Sequence, residues 1–203
     1  MKKHSLYDVV FQLRPLPKKL TEKQYVDELI AAIDERLTVT EHHHRYLLLN
    51  AGHVSDYLYF VERGIARGFY FDGNAGRELT AIIWKKHSIV CDPVSFFQRK
   101  VSDVNIEVMP GTLLISISYR QLQDIFNAFP EAEVFSRCIS LQYVYHHAQR
   151  ARELVGASPW ERYQRLLKTH PGIELSLPKE IFASYLNIAP QTLTKMIRRR
   201  GHP

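Results

Sequence analysis

The chain has 203 residues, 45% apolar and 24% charged, with a formal net charge of +6. That length holds one large or two small globular domains with ordinary cores, and no run of 18 or more apolar residues offers a membrane helix. The first residues, MKKHSLYDVVFQLRPLPKK, lack the apolar stretch and cleavage site of a secretory leader, so a cytoplasmic protein is expected, without membrane contact.

In chain order, residues 1–20 read as an N-terminal tail holding Pro15 and Pro17. Residues 21–37 place Tyr25, Leu29, Ile33 and Leu37 four apart on one helical face behind Thr21 as N-cap, and a second helical stretch is expected around Glu41 to Arg45. From Tyr46 to about Ser118 the period shortens to that of strands. Tyr57–Val61 leads through Glu62-Arg63-Gly64 to Ile65–Phe71, and Asp72-Gly73-Asn74-Ala75-Gly76 turns into Glu78–Trp84. Val104–Val108 alternates, Pro110-Gly111 turns, and Leu113–Ser118 alternates again. Short strands with glycine-rich turns predict an antiparallel barrel or sandwich of about 75 residues.

Helical pattern returns at Tyr119–Ala128, breaks at Phe129-Pro130 and runs on from about Pro130 to Gly156. In this long helix Val134, Cys138, Leu141, Tyr145, Ala148, Arg152 and Val155 follow the alternating four-three spacing of a heptad seam. All but Arg152, which interrupts the stripe, are candidate dimer-interface residues. A helix packed on its own β domain would show the same spacing.

The last 26 residues carry the strongest functional signal. Ile181, Phe182, Tyr185 and Leu186 form the apolar stripe of one short helix, leaving Lys179, Glu180 and Ser184 in water. Asn187-Ile188-Ala189 is a turn, Pro190 suits a first helical position, and Leu193, Met196 and Ile197 form a second stripe. Gln191, Thr192, Thr194, Lys195 and Arg198, followed by Arg199 and Arg200, point outward. Such a helix-turn-helix offers polar side chains for base edges and cations for phosphates, so double-stranded DNA is the expected partner. From Ala157 onward the charge is +5, leaving the preceding 156 residues nearly neutral.

The order of helix, β-roll, long helix and basic helix-turn-helix resembles the Crp/Fnr superfamily of bacterial transcription regulators, in its Bacteroidetes-type form. Gly52-His53-Val54-Ser55-Asp56-Tyr57-Leu58-Tyr59-Phe60-Val61-Glu62-Arg63-Gly64 is similar to a family strand and turn; Gly73-x-x-Gly76-Arg77-Glu78 looks like its next hairpin, and Leu177-Pro178 through Arg198 like its helix-turn-helix. The resemblance implies an α+β fold with four parts. These are the tail (1–20), an antiparallel cyclic-nucleotide-binding-like β-roll with flanking helices (21–129), a central dimerisation helix (130–156) and a small helix-turn-helix domain (157–203). It implies a homodimer working on DNA, with RNA polymerase and a small-molecule effector as further partners. Carried over by position, Gln191, Thr192 and Lys195 fall where the family reads base edges, and Arg198, Arg199 and Arg200 where it holds phosphate. Pro190 stands where an arginine is often found, which implies a different operator. Only three residues follow the second helix, so the domain is expected to lack a complete wing.

By the same resemblance, the effector pocket maps to Glu78, Asp92 and Ser102. A buried cyclic phosphate needs a cation and several donors. Here Val101 occupies the expected arginine position and Pro93 removes a donor, leaving Arg99 or Lys100 as displaced substitutes. The reading is therefore against cyclic AMP or another cyclic nucleotide, against any cofactor, and for an unknown effector or none.

Other chemistry is weakly signalled. Cys91 and Cys138 offer no C-x-x-C spacing for a disulfide framework or metal cluster, and no C-x-x-C-H supports a haem on Cys91, His53 or His87. Adjacent histidines in His42-His43-His44 or His146-His147 diverge by about 100° on a helix and do not converge on one ion. The β region has no His-x-His, and no G-x-S-x-G, P-loop or G-x-G-x-x-G occurs. Asp92 and Glu107 could be imagined as paired carboxylates, but Glu107 alternates with Ile106 and Val108 and reads as a solvent-facing strand residue. A non-enzymatic regulator is expected. The alternatives are a ligand-sensing or protein-interaction module without DNA binding and, more weakly, a cupin-like metal-dependent enzyme.

Overall fold

The computed structural model describes residues 5–73 and 76–200, the last without its side chain. The N-terminal segment is packed rather than loose. Helix α1 (Ser5–Val10) buries Leu6 and Tyr7, and Leu13 and Leu20 are buried after it. The Tyr7 hydroxyl donates to Asp34 at the end of α2 (Lys23–Asp34), which brings residues 5–34 together over the β domain. Thr21 does not cap α2. Its hydroxyl donates to the Lys18 carbonyl at 2.6 Å within a 3-10 turn, and the helix begins behind Glu22.

Eight strands make two antiparallel four-stranded sheets among the described residues. Sheet one has the order β1 (Thr38–His42), β8 (Thr112–Ser118), β3 (Tyr57–Arg63), β6 (Ile89–Val90). Sheet two has the order β2 (Tyr46–Leu49), β7 (Asn105–Val108), β4 (Ala66–Asp72), β5 (Arg77–Trp84). The expected helix around Glu41–Arg45 is instead the end of β1 and the turn into β2, because β1 pairs with β8 over five residues from Thr38↔Ser116 to His42↔Thr112. The turn at Asn74 and Ala75 lies outside the described residues.

Between the sheets lies an apolar core of Leu49, Val61, Ala66, Ile82, Trp84, Val90, Val104, Ile106, Val108 and Leu114. A bulge decides what β5 shows to each side. The register passes from Gly68↔Ile82 to Phe69↔Thr80, so Ala81 is extra. Ile82 and Trp84 consequently face inward, while Thr80 and Glu78 face outward.

Helix α4 (Tyr119–Ala128) opens on a Ser118/Gln121 capping box, and a 3-10 turn at Pro130–Glu133 precedes α5 (Val134–Gly156). The first two turns of α5 bury Val134, Phe135 and Cys138 in the chain's own core with Leu13, Leu29 and Ile125. Val134 and Cys138 are thus unavailable to a dimer seam; four-three spacing marks an apolar stripe but not what covers it. Further along, Leu141, Val144, Tyr145 and Ala148 are exposed, and Val155 is 91% exposed.

A tight approach packs the turn from β3 to β4 against the start of β8. Gly64 has φ of 96°, and a Cβ there would lie 2.6 Å from the Thr112 Cα. Gly64→Ala combines left-handed strain with a backbone collision and should cost about 2–4 kcal/mol, read as a lower urea midpoint at unchanged slope.

Candidate nucleic-acid interface

The C-terminal unit comprises α6 (Pro159–Thr169), α7 (Ile173–Ser176), α8 (Lys179–Tyr185) and α9 (Pro190–Arg200). Ser158 caps α6 reciprocally with Glu161, whose carboxylate accepts from the Ser158 N–H at 2.7 Å. Tyr163, Leu166, Ile173, Leu177, Ile181, Phe182, Tyr185, Leu186 and Leu193 form the unit's core.

The turn after α8 falls at Asn187-Ile188-Ala189 and closes in a defined way. Asn187 adopts φ of 52°, a left-handed conformation that asparagine tolerates. Its N–H donates to the Ser184 carbonyl at 2.9 Å and the Ile188 N–H donates to the Ala183 carbonyl at 3.1 Å, the bond pair of a Schellman motif. Pro190 then starts α9 without wasting a donor, and the Leu193 N–H donates to the Ala189 carbonyl at 3.1 Å.

On α9 Leu193 is buried and Met196 and Ile197 are partly covered, while Gln191, Thr192, Lys195, Arg198 and Arg199 are exposed. Spacings 191/195/198 and 192/195/199 put these five on one continuous outward surface. The helix contains no acid, and Lys195, Arg198 and Arg199 have no ion-pair partner among the described residues. Thr194 departs from the outward reading: it is half-buried, and its hydroxyl donates to the Pro190 carbonyl at 3.0 Å. Arg200 closes the helix, but its side chain lies outside the described residues. Between α9 and the start of α6 runs a cleft of about 410 Å³, lined by Ser158, Pro159, Trp160, Thr192, Lys195, Met196 and Arg199.

Solved structures share most of this arrangement. The c-di-GMP-responsive global regulator CLP of Xanthomonas campestris superposes with a TM-score of 0.66 at 16% identity, over 85% of this chain and 90% of that one. FixK2 of Bradyrhizobium japonicum gives 0.70 at 12% identity, over 81% and 86%. A protein from Eubacterium rectale assigned to the Crp/Fnr family gives 0.69 at 17% identity, over 88% and 86%. This is the Crp/Fnr regulator fold. No protein-family model matches the chain, and no curated protein matches its sequence.

In this example of the Crp/Fnr fold, the C-terminal unit sits on the outer face of sheet two. Ile65, Ile83 and Met109 of the β-roll share the core of that unit. Beside them Arg67 is 0% exposed, its guanidinium bonded to Glu107, to Glu78 and to the Thr80 hydroxyl at 3.0 Å, and stacked 4.2 Å from the Phe69 ring. Arg45 reaches the same carboxylates, at 2.5 Å from Glu107 and 3.4 Å from Glu78. Glu107 is therefore a buried ion-pair partner, not a solvent-facing strand residue: strand alternation sorts side chains between two faces, and both faces are covered here. Ser184 also departs from its expected place in water. Its hydroxyl donates to the Glu78 carbonyl and accepts from the Thr80 N–H, both at 2.8 Å, so α8 takes up backbone groups on the free edge of β5.

The four expected effector residues are each engaged in separate contacts. Glu78 faces outward into the ion cluster and an interdomain cleft of about 440 Å³. Asp92 caps α3 (Pro93–Gln98), accepting from the Val94 and Ser95 N–H groups at 3.1 and 3.3 Å. The Ser102 hydroxyl is buried against the Val104 backbone. Arg99 has φ of 55° and turns to the Ser55 carbonyl, Asp56 and the Tyr119 ring.

Among the described residues no group of three or more His, Cys, Asp or Glu could hold a metal ion. Burial, reinforced by the Asp92 charge, pushes the Cys91 thiol up. No helix of the described residues is long and apolar enough to cross a membrane.

Two measurements check these electrostatics. Arg67→Met leaves Glu107 buried with only Arg45 as partner and should cost about 3 kcal/mol in urea unfolding, most of it recovered in the Arg67→Met/Glu107→Leu double variant. His146 is pushed down to about 4, chiefly by burial and then by His147, Arg150 and His170, and burial also lowers His147 and His170. Because the unfolded chain binds these protons more readily, stability should fall as pH drops from about 6.5 toward 4. His146→Gln should flatten that fall in urea midpoints; an unchanged slope would remove His146 from the account.

Proposed function

We propose that the protein is a dimeric, DNA-binding transcriptional regulator and not an enzyme. The observation that carries this reading is the acid-free outward face of α9, with Gln191, Thr192, Lys195, Arg198 and Arg199 presented by a Schellman-closed turn. Gln191, Thr192 and Lys195 lie early enough in the helix to reach base edges, and Arg198, Arg199 and Arg200 follow where phosphates would pass. The functional division follows the fold: a sensor roll to residue 129, a pairing helix at 130–156 and a DNA-reading unit at 157–203. Pairing uses Leu141, Tyr145, Ala148 and Val155 together with Val144, which a strict four-three stripe leaves out.

The sensor is read as not taking a cyclic nucleotide. Its inner core is apolar; of the two substitute cations, Arg99 is bonded elsewhere and Lys100 is exposed. The Xanthomonas regulator is responsive to c-di-GMP. A phosphodiester of that kind would need cations that the core between the sheets does not supply.

Selection from random duplexes with the purified protein should return a two-fold symmetric site with half-sites about one helical turn apart. No binding to any sequence at low salt would sink the reading. Lys195→Ala should cost about 1–3 kcal/mol of discrimination at one position of the half-site. Arg199→Ala should weaken binding to all sequences and lower the salt slope by about one. Titration calorimetry with cyclic AMP and cyclic GMP should show no micromolar binding.

A further inference from the structure

We propose that Arg150 is the positioning residue that fixes the angle between the pairing helix and the DNA-reading unit; this rests on the proposed function. The starting point is the end of α8, where each of the last carbonyls needs a donor. Phe182 O accepts from the Leu186 N–H at 3.1 Å, and Ala183 O and Ser184 O are taken by the Schellman bonds. Tyr185 O and Leu186 O remain, and both accept from buried guanidinium groups. Arg162, on α6 of the same unit, gives Nε to Leu186 O at 3.1 Å and Nη1 to Ala157 O at 2.6 Å. Arg150, on α5, gives Nη2 to Tyr185 O and lies 4.1 Å from the centre of the Tyr185 ring.

Arg150 is thus attached to Tyr185, the last residue of α8, at two points, through its carbonyl and through its ring. A planar guanidinium offers a fixed donor and a flat stacking face together, whereas a tetrahedral ammonium has no flat face and no fixed fork. The remaining contacts show that stability alone does not call for an arginine. The side chain is 6% exposed, Nε and Nη1 have no hydrogen-bond partner among the described residues, and the nearest carboxylate, Glu153, is 3.8 Å from Nη1 and also faces Arg165. Burying such a charge costs more than an apolar residue of similar volume would. What it supplies is geometry. Position 150 lies about 200° around α5 from Ala148 on the exposed stripe, so one face of the helix meets a second copy while the other grips the turn that leads directly into α9.

The test uses the full-length protein, with Arg150→Met, Arg150→Lys and Arg162→Met. In free protein, Arg150→Met should speed amide exchange across residues 183–188 by about tenfold or more while β3 and β7 exchange as before. On DNA, the wild type should prefer its selected symmetric duplex by about tenfold over versions with the centre one base pair longer or shorter. Arg150→Met should bind all three within about threefold, and Arg150→Lys should recover only part of the preference. Arg162→Met, which loosens the same turn from inside the unit, should raise exchange yet keep the spacing preference. Unchanged exchange in Arg150→Met, an intact spacing preference in it, or an equal loss in Arg162→Met would overturn the proposal. Absence of symmetric-site binding by the wild type would overturn the regulator reading, and the exchange measurement would still decide the clamp.

Discussion

The rest of the molecule depends on one buried guanidinium. Arg67 lies on the central strand pair of sheet two with no exposure, and a charge so placed persists only where its donors are matched. Glu107 on β7, Glu78 and Thr80 on β5, and Arg45 ahead of β2 close the arrangement, so all four strands or their flanks contribute. Inward, the same strands present an unbroken apolar surface. Outward, they present a fixed polar centre with Ile65, Ile83 and Met109 beside it, and on this composite face the C-terminal unit is seated.

The docking is built to match a sheet edge. β5 is the last strand of its sheet, and an unpaired edge invites a foreign strand. Ser184 answers it with one hydroxyl that both donates and accepts, and two separate buried arginines hold the carbonyls one and two residues later. The helix-turn-helix is held by the roll on one side and by α5 and α6 on the other. Its outward face is left to carry charge.

Much of this was legible in the sequence, and the misses have physical causes. Strand alternation from Tyr57 to Ser118, the Ser118 and Pro130 boundaries of α4, and the turn at Asn187 follow from local chemistry and appear where expected. β1 was hidden because Thr38–His42 shows no inward apolar alternation, being largely exposed at a sheet edge. Glu107 and Ser184 were misplaced for a common reason: period two or period 3.6 separates faces, but which faces are covered is decided by tertiary docking. Arg150 and Arg162 gave no signal at all. An arginine on a polar helix face looks solvated until the carbonyls it serves, 35 and 24 residues away, are located. The effector residues are a different case. Transferring a cassette by position assumes its backbone course, and Arg99 in the left-handed region turns its side chain out of the roll.

Sharing a core between the β-roll and the C-terminal unit sets the terms on which α9 can move. A swing of α9 away from the roll would uncover Ile65, Ile83 and Met109 and release both Ser184 hydrogen bonds. Three apolar side chains returned to water cost about 1.5–3 kcal/mol each when fully exposed. Each lost hydrogen bond adds about 1 kcal/mol. Together these rival the stability of a small domain, so free rotation of the unit carries a large cost. A movement that keeps the shared core and pivots about it loses little of this sum, and the contacts of α5 with the unit lie outside that core. Among them, Arg150 on Tyr185 is the point where the helix bearing the exposed stripe touches the end of α8, just before the turn that aims α9.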